Sequence, residues 1–122
     1  MTLGALAYIN EVLDKAGIRY SFMRFDKAED TYWIGEYYES ESVNEDGMIE
    51  SDFILTGTTE GSWLELERQK ESIIRSFRNS TVILPDGNGL AIEYDNALVI
   101  PTDTESIKRI ELHLSVTEWR NN

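Results

Sequence analysis

At 122 residues, with 41% hydrophobic residues and no cysteine, the chain has material for one cored domain and none for disulfides, zinc–thiolate sites, haem attachment or thiol catalysis. Eleven Lys+Arg against 23 Asp+Glu give a net charge of −12, which disfavours a phosphate-binding surface and fits either plain solubility or a basic partner. No apolar run approaches the ~20 residues of a membrane span, and Met1–Leu6 has neither the basic region nor the cleavage pattern of a signal peptide, so no membrane contact and a cytoplasmic setting are expected.

Residues 2–16 predict a helix: Leu6, Ile9, Leu13 and Ala16 recur on one stripe, and Gly17 stands where a C-cap belongs. Ile18–Phe25 predicts a strand with Tyr20 and Phe22 on one face. Asp26–Asp30 predicts a polar turn, and Thr31–Tyr38 the returning strand. In that strand Tyr32, Ile34 and Tyr38 share one face, and Trp33, Gly35 and Tyr37 the other. Both faces are partly apolar, which implies packing on both sides or a subunit contact. Glu39–Gly47 carries Glu39, Glu41, Glu45 and Asp46 with no basic residue and predicts a solvated strand end and loop.

Met48–Thr56 predicts a third strand and Gly57–Gly61 a turn. Ser62-Trp63-Leu64-Glu65 matches a capping box. Trp63, Leu66, Ile73, Ile74 and Phe77 then mark one face of a helix to about residue 78, with Glu71 and Arg75 spaced as an i,i+4 pair. Val82–Leu84 is a short strand, Pro85–Gly89 a hairpin turn, and Leu90–Tyr94 the strand that follows. Ala97–Ile100 is a further strand stopped by Pro101. Ser106–Glu118 alternates Ile110, Leu112, Leu114 and Val116 against Arg109, Glu111, His113 and Ser115, the pattern of a sheet with one buried and one wet face. The fold class expected is α+β: a mostly antiparallel sheet with two helices packed on it, in the order α-β-β-β-α-β-β-β, within a single domain 1–122.

No catalytic, cofactor or metal site is expected. His113 is the one histidine, with no nucleophile motif beside it. Glu39, Glu41, Glu45, Asp46 and Glu50 lack the EF-hand spacing. Gly57–Ser62 lacks the Gly-Lys-Ser/Thr ending of a phosphate loop and holds Glu60 instead. The aromatics Tyr32, Trp33, Tyr37 and Tyr38 stand beside Glu36 and Glu39 rather than the Lys or Arg of a base-stacking platform. They read as core or subunit interface.

Thr56 to Glu67 followed by Lys70-Glu71, Ala91-Ile92-Glu93-Tyr94, Ala97 to Thr104 and Arg109 to Trp119 together resemble small proteins of the structural-gene clusters in prophages of Gram-positive bacteria. The element order is also similar to the tail-terminator and tail-completion fold of tailed bacteriophages. That resemblance implies a non-enzymatic virion protein at the tail end or head–tail junction. It would partner itself, as a ring that is commonly a hexamer, and other tail or neck proteins, in the host cytoplasm and then in the virion. It implies neither a cofactor nor sequence-specific nucleic-acid binding. In such a ring Tyr32, Trp33, Tyr37 and Tyr38 are candidate subunit contacts, and Glu39, Glu41, Glu45 and Asp46 a candidate lumen or partner surface. The competing readings are an acidic inhibitor or DNA mimic that binds a host protein, and a small enzyme relying on carboxylates such as Asp95 or Asp103.

Overall fold

The computed structural model describes residues 1–23, 31–39, 47–78 and 80–120. Two helices lie on one face of a six-stranded mixed sheet. In chain order the elements are α1 (Leu3–Lys15), β1 (Tyr20–Phe22), β2 (Tyr32–Glu39), β3 (Met48–Thr59), α2 (Trp63–Phe77), β4 (Ser80–Ile83), β5 (Gly89–Val99) and β6 (Lys108–Trp119). The sheet order is β1-β2-β3-β6-β5-β4, and all pairings but one are antiparallel. This is the expected α+β class and element order.

Helix α1 starts where Thr2 Oγ1 accepts from the Ala5 amide at 3.2 Å. Its stripe of Ala5, Ile9 and Leu13 is fully buried. Gly17, just past the end, adopts φ +73°, which a side chain would oppose. Helix α2 starts at Ser62, whose Oγ accepts from the Glu65 amide at 3.2 Å. The reciprocal half of the capping box is not made: the Glu65 carboxylate accepts from Arg68 and Gln69 instead. The expected Glu71–Arg75 pair is also absent, and the helix surface pairs Arg68 with Glu65 and Lys70 with Glu67. Leu66, Ile73 and Phe77 of α2 are fully buried, each contributing roughly 1.5–3 kcal/mol of apolar burial.

Three expectations are corrected. The first strand does not return on itself: β1 pairs parallel to β2, with Tyr20 beside Trp33 and Phe22 beside Gly35. This places Phe22 on the helix side, stacked on Tyr37 and Phe53 at centroid distances of 5.9 and 6.4 Å. The polar turn expected at Asp26–Asp30 lies outside the described residues. Second, Gly57–Thr59 is not a turn but the end of β3. Gly57 faces the core, where a Cβ would sit 2.6 Å from the Trp33 ring, so the glycine is a seat for the indole. Third, the two strands expected over Leu90–Ile100 are one strand, β5, with a bulge between Tyr94 and Asn96.

The core lies between the helices and the sheet. It is built from Trp33, Phe53, Leu55, Leu90, Ile92, Ile110, Leu112, Leu114 and Val116 below and the two helix stripes above. The alternation expected for β6 is present, since its four apolar residues are all buried. Among the described residues no helix lies on the opposite face of the sheet.

Candidate functional site

The helix-free face of the sheet gathers the side chains that alternate away from the core. Cross-strand register sets its rows: Tyr38, Asp52 and Ser115 are neighbours, then Glu36, Ile54 and His113, then Ile34, Thr56 and Glu111, then Tyr32, Thr58 and Arg109. β5 extends these rows with Glu93, Asn96 and Leu98. Two open depressions lie here. One, of ≈ 650 Å³, is lined by Tyr38, Glu50, Asp52, Asp95 and His113 among others. The second, of ≈ 370 Å³, is lined by Tyr32, Ile34, Glu36, Thr58 and Arg109. A third, of ≈ 230 Å³, lies on the helix side between α1 and the β4–β5 turn.

His113 is the centre of the only ionic cluster described on this face. Its Nδ1 is 3.1 Å from Asp52 Oδ2 and its Nε2 is 2.8 Å from Glu111 Oε1. Two carboxylates accept from both ring nitrogens only if the ring is the doubly protonated imidazolium. Partial burial alone would lower its pKa. The hydrogen bonds to Asp52 and Glu111 and their negative charge outweigh that, so the pKa is raised above the ordinary histidine value. In that state the ring has no lone pair with which to act as a base. Ser115, the nearest hydroxyl along the strand, donates to Asp95 Oδ2 at 2.5 Å and is not paired with the histidine. Among the described residues Ile54, beside His113, is the one apolar side chain buried on this face. Among the described residues no three His, Asp or Glu side chains form a group that could hold a metal ion.

The residues singled out from sequence are divided by the fold. Of the two readings, core or subunit interface, Trp33 takes the first: it is 0% exposed and its Nε1 donates to Gln69 Oε1 of α2 at 2.9 Å. Tyr37 is half-buried on the same side, stacked on Phe22. Tyr32 and Tyr38 point to the helix-free face, and Tyr38 is 63% exposed. Glu39, at the end of β2, pairs with the Met1 ammonium. Glu41, Glu45 and Asp46 lie outside the described residues.

No family model matches the chain, and no curated protein matches it. Solved structures do match. A chain of the "Virion of native gene transfer agent (GTA) particle" superposes with a TM-score of 0.71, covering 97% of this chain and 89% of the other at 13% identity. A second solved chain, designated only by a sequence identifier, gives a TM-score of 0.70 over 97% of this chain and 94% of the other at 10% identity. The likeness is one of fold. It takes in nearly the whole chain.

Sequence reasoning missed the Asp52–His113–Glu111 cluster. Glu111 lies two residues from His113 on the same strand face and was in view. Asp52 is 61 positions away and is brought in by the β3–β6 register. Among the described residues no helix is long and apolar enough to cross a membrane.

Proposed function

We propose that the chain is a non-enzymatic subunit of a tailed-phage or prophage particle, acting at the tail end or the head–tail junction as one member of a homo-oligomeric ring. The observation that carries the reading is the 0.71 superposition on a chain of a gene transfer agent virion over 97% of this chain. The helix-free face supports it: Tyr32, Ile34 and Tyr38 present aromatic and aliphatic area beside the carboxylates of Glu36 and Asp52. Tyrosine at the edge of an apolar patch is characteristic of interface cores. A ring closes by head-to-tail contact, so this face meets a different surface of the next subunit. Glu39, with Glu41, Glu45 and Asp46, supplies the acidic surface for the lumen or a neighbouring tail or neck protein. The subunit is made in the host cytoplasm and ends in the virion.

Light scattering on a sizing column, over protein concentration and at two salt levels, tests this. A net charge of −12 repels free copies. Screening shortens the Debye length from about 10 Å at 0.1 M to about 3 Å at 1 M. A discrete ring-sized mass that grows in with salt supports the reading. A monomer at every condition that forms a tight one-to-one complex with a basic host protein replaces it with the acidic-inhibitor reading, which the charge also favours.

A further inference from the structure

The outer edge of the sheet at β5 is only half covered. β5 spans Gly89–Val99, whereas β4 has four residues and pairs with Gly89, Leu90, Ala91 and Ile92 alone. Past Ile92, no described strand lies on the outer side of β5. The Ile100 amide donates inward to the Arg109 carbonyl at 3.0 Å. Residues of an antiparallel ladder alternate, so Val99 and Ala97 turn their N–H and C=O groups outward, away from β6. A row of outward backbone donors and acceptors is a template for one more strand.

The side chains along this half-edge differ between its two faces. Tyr94, Ala97 and Val99 stand on the helix side, opposite Leu114, Leu112 and Ile110. Tyr94 and Val99 are nonetheless exposed, Val99 at 56%. On the other face Glu93 and the bulged Asp95 flank the edge, with Glu111 across from Leu98. A second copy of this chain is a poor match: its net charge is −12, and the outer half of its own β2 carries Glu36 and Glu39. Like charges set directly opposite across strands are destabilising, and opposite charges stabilise.

We propose that Tyr94–Val99 takes an extended basic segment of another protein as an added strand. Its apolar side chains would lie on the helix side and its Lys or Arg on the side of Glu93 and Asp95. Main-chain hydrogen bonds supply the attachment, and the alternation supplies the selectivity. Strand addition depends on the ladder and charge of this edge and stands apart from any role in a virion.

The test is amide exchange and ¹H–¹⁵N shifts of the whole chain titrated with the peptide acetyl-(Lys-Val)₃-amide. The controls are the same peptide methylated on alternate backbone nitrogens and its Glu-Val counterpart. Exchange at Ala97 and Val99 slows by roughly tenfold when peptide stands at ten times its dissociation constant. The effect disappears with the methylated peptide, and weakens with salt, with the acidic peptide and in Glu93→Lys. In Val99→Pro the lost N–H is an outward one, so the β5–β6 ladder stays intact while peptide protection is lost. Unchanged exchange at these two amides overturns the proposal, as does equal binding of the acidic or methylated peptide. If Val99→Pro instead splits a self-associated protein into monomers, the occupant is a second copy and the basic-segment assignment is wrong.

Discussion

The indole of Trp33 rests on the bare backbone of Gly57, its direct partner across the β2–β3 ladder. A Cβ at Gly57 would lie 2.6 Å from ring carbons of Trp33, and the ring nitrogen beside those carbons donates to Gln69 of α2. The ring therefore locks sheet to helix. Gly57→Ala is expected to destabilise by about 1–3 kcal/mol through overpacking, and Trp33→Ala by about 3–5 kcal/mol through the cavity it leaves. In the combination Gly57→Ala with Trp33→Ala, the smaller ring-free side chain relieves the clash, and the costs are less than additive. Urea unfolding midpoints of the three variants measure this. Strict additivity would show that the ring does not bear on the glycine.

Thr2 and Glu118 close the chain across 116 positions. The Thr2 hydroxyl donates to Glu118 Oε1 at 2.5 Å and accepts from the Ala5 amide, so one side chain caps α1 and satisfies a carboxylate that is only 2% exposed. Thr2→Ala removes both. The lost cap alone costs about 0.5–2 kcal/mol, and the carboxylate that loses a donor adds to it. Thr2→Ser keeps the hydroxyl and is expected to stay close to the native stability. Thermal unfolding of the pair separates the two. Equal loss in both would put the effect on the threonine methyl rather than the cap.

What the sequence showed, and what it hid, divides by the range of the interaction. The strand alternation of Ile110 to Val116, the Ser62 cap and the apolar stripe of α2 are local patterns, and each is legible within a dozen residues. Gly57-Thr58 and Asp95-Asn96 carry turn chemistry, yet one is a seat for a distant ring and the other a bulge in a continuous strand. The sides of β2 were read correctly as two faces, but alternation cannot say which face the helices cover. Trp33 and Tyr38 consequently looked alike, although one is core and the other exposed. Asp52 beside His113, and the parallel β1, come from register, which no local pattern encodes.

The Asp52–His113–Glu111 arrangement makes stability depend on pH. The folded-state pKa of His113 is raised, so its stabilisation is fully present below the unfolded-state value, about 6.5, and is lost as pH rises through the folded-state value. Once the ring is neutral it donates to one carboxylate only, and its lone pair faces the other. Native stability, measured by urea unfolding between about pH 5 and 9, should therefore fall on the alkaline side. His113→Gln should flatten that fall. Imidazole NMR titration reads the group directly: Asp52→Asn and Glu111→Gln should each lower the His113 pKa. A native pKa at or below the free-histidine value would remove the cluster as the source.

Under the proposed ring, Tyr38 is the residue that separates folding from assembly. It is exposed on the helix-free face, on the same side as Tyr32 and Ile34, and contributes little to the core. Surface substitutions of this kind usually change stability by within about 0.5 kcal/mol. Tyr38→Ser should accordingly unfold at the native urea concentration. A central aromatic in an interface typically contributes about 2 kcal/mol or more to association. In a ring every subunit contact is weakened at once, so the variant should sediment as monomer at concentrations where the native chain is assembled. Tyr37→Ser, which loses the stack on Phe22, should show the reverse, with lower stability and assembly unchanged in whatever remains folded. Sedimentation velocity beside the unfolding curves decides it: a Tyr38→Ser protein of native mass would move the subunit contact off this face.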